Sequence, residues 1–299
     1  MSCFRRPILH VVVMLLAASV VLVGETTFHQ NPASPNTALT ETEIDNGFHL
    51  LYELKFSEAR RQFTAWKQLH PEDPMGDASV ASSYLFEELY HQGVLTSEYF
   101  LNDKRFLRGI QGEPDAVRTL AFKESNQRAR ELSRRRIAAN RGDTEALLAL
   151  TLATGMQSNF ASILEKRQME GLRLVKEAEG YASQLLQLRP DAADAWLALG
   201  AANYIIGCLP AHVRLFLWFG GFHGDRRLGM EQLRKTAEQG HYLSPFARIF
   251  LALAAMREKQ DDVARSQFSE LVSMFPENPL YASELAVVRQ RLALAKKPR

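Results

Sequence analysis

Two stretches of this chain share one pattern: ARRQFTAWKQLHP at residues 59–71 and ARSQFSELVSMFP at residues 264–276. Each contains an alanine, a phenylalanine one helical turn later, and a proline after the end of the same helix. The alanine lets a partner helix approach closely, the ring fills the space between stacked helix pairs, and the proline stops the helix. The pattern therefore predicts the second helix of a repeated helical hairpin.

The first helices of these hairpins are indicated by weaker sequence patterns. Gly47 lies twelve residues before Ala59, where a small residue lets the two helices of one unit touch. Trp196, Leu199 and Gly200 match the Trp-x2-Leu-Gly opening of a tetratricopeptide repeat (TPR) unit. We predict an all-α fold, namely a TPR-like right-handed α-solenoid of antiparallel helix pairs.

The repeats are not uniform along the chain. The intervals between Pro71, Pro190 and Pro276 are not multiples of the TPR period, so insertions must separate some units. We expect one helix pair at 77–93 and 96–110, followed by a long helix at 115–140. We also expect an irregular insertion at about 207–224 and a capping helix at about 280–296, which covers the apolar end of the stack.

The N-terminus carries a targeting signal. Arg5 and Arg6 precede an apolar run of 16 residues, Ile8–Val23, which is typical of a signal peptide or an N-terminal membrane anchor. Both interpretations stay open, because the run is long for the first and short for the second. We assign 1–24 to this segment, 25–42 to a flexible linker and 43–299 to the solenoid. We expect an exported protein, periplasmic or anchored to the cytoplasmic membrane.

Composition excludes some classes of function. The chain has 299 residues and a net charge of +2, so no global positive field favours nucleic acid. Cys208 is the single cysteine of the solenoid, so no disulfide forms within it. Cys208 and His212 are four residues apart, yet Pro210 between them favours a packed loop over a nucleophile or half of a metal site. We expect no cofactor, no metal and no catalytic residue.

Residues 209–229 carry a resemblance to a known family. Leu209-Pro210, Gly221-Phe222-His223-Gly224-Asp225-Arg226 and Gly229 resemble the C-terminal half of the tetratricopeptide repeat protein 39 family. They are also similar to uncharacterised bacterial TPR proteins with N-terminal signals. The resemblance covers about 191–285 and implies a TPR superhelix without catalytic activity or cofactor. It brings no ligand-binding residues. Within the motif we interpret Asp225 as a helix N-cap rather than part of a phosphate site.

Two further features allow alternative interpretations. Leu215–Phe219 is the most apolar run after the N-terminus, and is either a helix that plugs the groove, the interpretation we favour, or a contact with a membrane. An arginine cluster is either a solvated helix face, which we favour, or a surface for anionic lipid or an acidic partner. Its members are Arg128, Arg130, Arg134, Arg135, Arg136 and Arg141.

These observations favour a non-enzymatic TPR scaffold that binds a protein or peptide in its concave groove, outside the cytoplasmic membrane. The alternative is a protein that binds lipid or a hydrophobic ligand at the membrane surface. Counting along the first helices of the last two units gives Asp194, Tyr204, Phe246 and Arg257 as partner-binding residues. The same register adds Leu197, Ala201, Ile249 and Leu253 to the groove-facing set.

Overall fold

The computed structural model describes residues 37–102, 110, 112–209, 211–219 and 221–295, with side chains from residue 43 onward. These residues form thirteen α-helices and contain no β-strand. The helices are α1 (Thr37–Tyr52), α2 (Phe56–Leu69), α3 (Pro74–His91), α4 (Ser97–Leu101), α5 (Ala116–Ala139), α6 (Thr144–Asn159), α7 (Gln168–Leu188), α8 (Trp196–Cys208), α9 (Ala211–Phe219), α10 (Arg226–Gln239), α11 (Ser244–Arg257), α12 (Asp261–Met274) and α13 (Pro279–Ala295). Helix α1 begins inside the predicted linker 25–42, so the last six residues of that linker are helical. The predicted segment 1–24 lies outside the described residues.

Aspartates begin four of these helices. The side chains of Asp73, Asp115 and Asp143 accept hydrogen bonds from backbone N–H groups in the first turns of α3, α5 and α6. Asp225 does the same for α10, where the N–H groups of Arg227 and Leu228 donate to its Oδ1. Each cap satisfies N–H groups that have no partner within the helix, at about 1 kcal/mol per cap.

Eleven of the thirteen described helices pack as five antiparallel pairs followed by a single helix, and α4 and α9 belong to no pair. The pairs are α1–α2, α3–α5, α6–α7, α8–α10 and α11–α12, and α13 packs on α12. The pairing of α3 with α5 corrects the expected pair 77–93 with 96–110. Arg118 at the start of α5 bonds Glu88 at the end of α3, at 2.7 Å, and Arg128 bonds Asp77 at 3.2 Å. Among the described residues between α3 and α5, the helix present is the five-residue α4, and it packs against α11 instead of forming a pair with α3.

The residues of the repeated pattern have the expected roles. Ala59 and Phe63 are both fully buried, and a Cβ atom on Gly47 would lie 2.6 Å from Cδ1 of the Phe63 ring. At the α8–α10 crossing, a Cβ on Gly200 would lie 2.9 Å from the backbone nitrogen of Leu233. Only glycine allows these helices to approach so closely. The chain is therefore an all-α, TPR-like solenoid on the packing of its own helices.

The array closes on itself, because its first unit contacts its last. The Tyr52 hydroxyl donates to the carbonyl oxygen of Tyr242 at 2.9 Å, and Asn278 Nδ2 donates to the carbonyl oxygen of Tyr52 at 2.7 Å. The ring of Phe48 lies 4.8 Å from that of Tyr242. These buried contacts join the end of α1 to the loops on either side of the last helix pair.

Helix α4 covers the inner face of the closed array. It packs against α11, and the backbone N–H of Ser97 donates to Glu284 Oε1 on α13 at 3.0 Å. Phe100 is 7% exposed. The inner face retains an apolar cavity of only about 60 Å³, lined by α1, α3, α4, α11, α12 and α13.

Helix α6 and the turn that follows it form the centre of the core. The stretch Thr144–Leu164 is long and apolar enough to cross a membrane, but 89% of its most apolar window is buried inside the fold. Its last five residues, Phe160–Leu164, form a π-helical turn, and the Phe160 ring stacks on Phe122 at 4.8 Å. This stretch is therefore the core helix of the array.

Helix α13 caps the last unit, as predicted, within one residue of the expected start. Leu285 and Val288 are buried against the array. Arg291 of this helix is half-buried, and it donates to the Met256 carbonyl oxygen at 2.9 Å and to Asp261 at 3.0 Å.

Candidate functional site

Asp194, predicted to bind a partner, lies inside the fold. Its side chain is 1% exposed and accepts hydrogen bonds from the backbone N–H groups of Leu243, at 3.1 Å, and Tyr242, at 3.4 Å. Burial raises the pKa of its carboxyl from 3.8 to about 8, against the opposing effect of those two bonds. Asp194 therefore holds the loop between α10 and α11 in place, and it does not line an open groove.

Tyr204 and Phe246 are also enclosed. The Tyr204 hydroxyl lies 3.3 Å from the Ala254 carbonyl oxygen and 3.2 Å from Glu258 Oε1, and its ring is fully buried between α8 and α11. Burial raises the pKa of this hydroxyl above its ordinary value. Phe246 faces Phe86 across the inner face, with the ring centroids 5.9 Å apart. Neither side chain is accessible to a partner while the array stays closed.

The other residues predicted to face the groove lie in the cavity of the inner face or in the core. Ile249 and Leu253 line that cavity beside Phe246. Leu197 and Ala201 are buried in α8. The inner face exists, but α4 and the first helix pair cover it. Arg257, at the end of α11, is half-exposed, and its role in partner binding stays a prediction.

An arginine pocket opens on the outside of the last two units. It has a volume of about 510 Å³ and is lined by charged side chains of α9, α10 and the end of α11. They are Arg214, Asp225, Arg226, Arg227, Glu231, Arg234 and Glu258. This pocket was not predicted from the sequence, although Arg227, Glu231 and Arg234 follow one another at helical spacing and must share one face of α10.

Two glycines line the arginine pocket, Gly207 at the end of α8 and Gly224 of the family-like motif. A Cβ on Gly207 would lie 2.6 Å from the backbone nitrogen of Arg226, and a Cβ on Gly224 would lie 2.7 Å from the backbone carbon of Ile206. The end of α8 therefore touches the start of α10 directly. The cap interpretation of Asp225 is confirmed, because the N–H groups of Arg227 and Leu228 bond its carboxylate, and these bonds lower its pKa.

The charges of the arginine pocket are partly paired. Arg226 contacts Glu258 at 3.0 Å, and Arg227 lies 3.8 Å from Glu231. Arg214 donates to the Gly207 carbonyl oxygen at 3.4 Å. Arg214 and Arg234 have no carboxylate within ion-pair distance among the described residues. The pocket thus keeps two guanidinium groups whose charge an added anionic group could neutralise.

Cys208 lies next to this pocket and is not an activated thiol. Burial raises the pKa of its sulfhydryl, and the nearby Tyr204, Arg257 and Arg226 offset that effect only in part. A thiol is a weak nucleophile in this state. Among the described residues, no group of three His, Cys, Asp or Glu side chains is placed to hold a metal ion.

Helix α9 exposes most of its apolar side chains. Phe216 and Phe219 are each 78% exposed, Leu215 is 62% exposed and Trp218 is 55% exposed. We call these four residues the α9 ridge. A helix that plugged the groove would bury these four side chains, so their exposure contradicts the interpretation of this run as a groove plug; within the run, Leu217 is buried.

Four arginines of the α5 cluster contact acidic side chains within the fold. Arg130 and Arg134 share Glu177, at 3.4 and 3.3 Å, and Arg136 contacts Asp143 at 2.8 Å. Arg128 bonds Asp77, as described above. The exposed members are Arg128, Arg134, Arg135 and Arg141. The ion pairs fasten α5 to its neighbours, and the exposed members fit a solvated helix face.

Comparison with known proteins adds little at the level of residues. No protein-family model matches the chain, and no curated protein matches it. A solved structure that it resembles is a thermophilic TPR protein of Thermus thermophilus, at 14% identity and a TM-score of 0.43, over 84% of this chain and 99% of that one. The resemblance to the tetratricopeptide repeat protein 39 family stays a prediction.

Proposed function

We propose that this chain is a non-enzymatic helical-repeat scaffold that binds a protein or peptide partner outside the cytoplasmic membrane. Stacked helix pairs of this kind commonly present an extended surface to other polypeptides. Because α4 and the first unit cover the inner face, the partner has to bind on the outside. The arginine pocket is the observation that carries this proposal.

The arginine pocket suits an acidic segment of a partner. Its volume of about 510 Å³ falls in the range of ligand sites and accommodates a few side chains. Arg214 and Arg234 offer planar guanidinium groups that bind carboxylates in pairs of hydrogen bonds. Glu231 and Glu258 keep the rest of the wall from attracting anions without selectivity. Half-exposed Arg257 immediately precedes Glu258, which keeps it a candidate contact.

Export rests on the N-terminal sequence alone. The basic pair before the apolar run Ile8–Val23 supports a signal or an anchor, and both place the solenoid beyond the membrane. Determination of the mature N-terminus by mass spectrometry tests this part. A chain recovered from the cytosol with residues 1–24 intact would contradict it.

Site-specific crosslinking tests the partner. A photoreactive amino acid at Glu231, inside the arginine pocket, is expected to crosslink a polypeptide in intact cells. The double charge reversal Arg227→Glu plus Arg234→Glu is expected to abolish this product. Charge reversal of the exposed Arg135 on α5 is the matched control, and it is expected to leave the crosslinked product unchanged.

A crosslinker at the exposed Leu69 of α2 measures nonspecific capture. If Glu231 captures the same products as Leu69, or if the charge reversals in the arginine pocket have no effect, the pocket does not bind the partner. Arg257→Ala is a useful further variant, whereas Tyr204→Ala is not, since it removes a fully buried ring.

A further inference from the structure

Helix α9 is a folded element that holds its apolar ridge away from the protein. Its end has the hydrogen bonds of a Schellman motif: the N–H of Phe222 donates to the Leu217 carbonyl oxygen at 3.1 Å, and the N–H of Gly221 donates to that of Trp218 at 3.0 Å. Gly221 has the positive φ of 78° that this motif requires. The motif brings half-buried Phe222 toward buried Leu217, which fastens the helix by one face.

On the opposite face, Trp218 makes an edge contact with the His223 ring at 6.3 Å, yet the side chains of this face stay largely exposed. The α9 ridge consists of four adjacent large apolar side chains that are each more than half exposed. A contiguous apolar surface of this kind on a soluble domain marks a site of interaction with a membrane or another molecule. We propose that the α9 ridge inserts into the boundary between headgroups and acyl chains of an anionic lipid bilayer.

Charge supports a lipid occupant. Residues 209–224 contain no aspartate or glutamate, and α9 itself carries Arg214. Exposed Arg227 and Arg234 lie at the adjoining arginine pocket. Tryptophan and phenylalanine beside cationic side chains are typical of helices that lie in the membrane interface, where cations gain from an anionic surface. Trp218 supplies the ring with a polar N–H that suits this boundary.

The N-terminal segment explains how a helix as short as α9 can contribute to membrane binding. Nine residues of α9 bury little area and would bind a bilayer weakly from solution. An apolar segment at Ile8–Val23 that stays in the membrane keeps the domain at high local concentration beside the surface, so the second contact becomes intramolecular. The inference rests on the proposed location at the membrane, but not on the proposed polypeptide partner.

Quenching of tryptophan fluorescence by brominated lipid tests the contact directly. The full chain is reconstituted into vesicles of phosphatidylcholine and phosphatidylglycerol whose acyl chains carry bromine near the headgroups. Trp66 bonds Asp73 and Trp196 lies under Lys235, so neither belongs to the ridge. We expect bromolipid quenching in the native chain, and loss of most of it in Trp218→Phe.

Matched variants distinguish a specific contact of the α9 ridge with lipid from nonspecific adsorption of exposed apolar side chains. Phe216→Ser plus Phe219→Ser is expected to remove the quenching without changing the thermal unfolding curve, since both rings are already exposed. Val117→Ser plus Leu120→Ser is the control, because it removes two apolar, exposed residues of α5. We expect this variant to keep the bromolipid quenching.

Two results would overturn the proposal. One is quenching that survives Trp218→Phe or the Phe216 and Phe219 changes, because the ridge would then not touch lipid. The other is equal quenching in vesicles without phosphatidylglycerol, because the anionic headgroup would then play no part. Pure lipid vesicles contain no protein partner, so failure of the crosslinking experiment leaves this test unaffected.

Discussion

Asn278→Asp tests whether the array closes between its first and last units. Asn278 is 2% exposed and has two functions. Its Oδ1 accepts from the N–H of Leu280 at 2.9 Å, which caps α13, and its Nδ2 donates to the Tyr52 carbonyl oxygen at 2.7 Å. Aspartate caps a helix as well as asparagine does. The substitution therefore keeps the helix cap and removes the bond to Tyr52; it also alters the hydrogen bond between the Asn278 side chain and the neighbouring Tyr281.

The expected cost follows from those two contacts. Loss of the donor leaves the buried carbonyl of Tyr52 without its partner, which costs about 1–3 kcal/mol. A carboxylate oxygen facing that carbonyl adds desolvation and repulsion, so we expect the free energy of unfolding to fall by about 2–4 kcal/mol. The loss should shrink at low pH, where the introduced carboxyl is protonated and donates to Tyr52 again.

Urea denaturation followed by circular dichroism at 222 nm measures this difference. Asp225→Asn is the matched control, because it exchanges the same two residue types at an exposed cap, and we expect a change of less than about 0.5 kcal/mol. If Asn278→Asp is as stable as the native chain at neutral pH, the contact between Asn278 and Tyr52 does not hold the ends together. The closed arrangement would then lose its main support.

Three further predictions concern packing and pH. Gly229→Ala should lower the thermal midpoint, because its Cβ would lie 2.5 Å from the Tyr204 backbone nitrogen, whereas Gly180→Ala, in open space on α7, should raise stability by about 0.5–1 kcal/mol. Phe63→Ala should cost about 3–5 kcal/mol in urea denaturation, while Leu69→Ala, 58% exposed in the same helix, should cost less than about 1. Because the pKa of Asp194 is raised from 3.8 to about 8, the native state binds a proton that the unfolded chain releases, so stability should fall as pH rises from about 4 to about 8, and Asp194→Asn should flatten that slope. A slope equal to that of the native chain would contradict the last of these.

The local elements of the fold could be predicted because their signals lie within one helix pair. Ala59, Phe63 and Gly47 meet because small and large residues at helical spacing complement each other. Asp225 caps α10 because the N–H groups that bond its carboxylate belong to residues two and three positions further along the chain. The start of α13 was predicted within one residue, since the end of any solenoid needs a cover. Each of these features is decided by contacts within one repeat or between neighbouring repeats.

The candidate site could be predicted only in part. Counting along α11 placed Phe246, Ile249 and Leu253 on one face of the helix, and these three residues line the same cavity. The sequence offered no sign that α4 would cover that face, because the five residues of α4 carry no repeat pattern of their own. Because the position of α4 could not be predicted, Leu215–Phe219 was interpreted as the plug of an open groove.

Local sequence patterns were enough to predict an all-α stack of helix pairs, the close helix crossings at Gly47 and Gly200, and the capping helix. Only contacts in the folded chain reveal that the stack closes, that Asp194 and Tyr204 are buried, and that the α9 ridge is exposed. The difference lies in how far apart the contacting residues are along the sequence. Closure depends on hydrogen bonds between residues 190 and 226 positions apart, and on the sum of small rotations over five units, which no local spacing encodes.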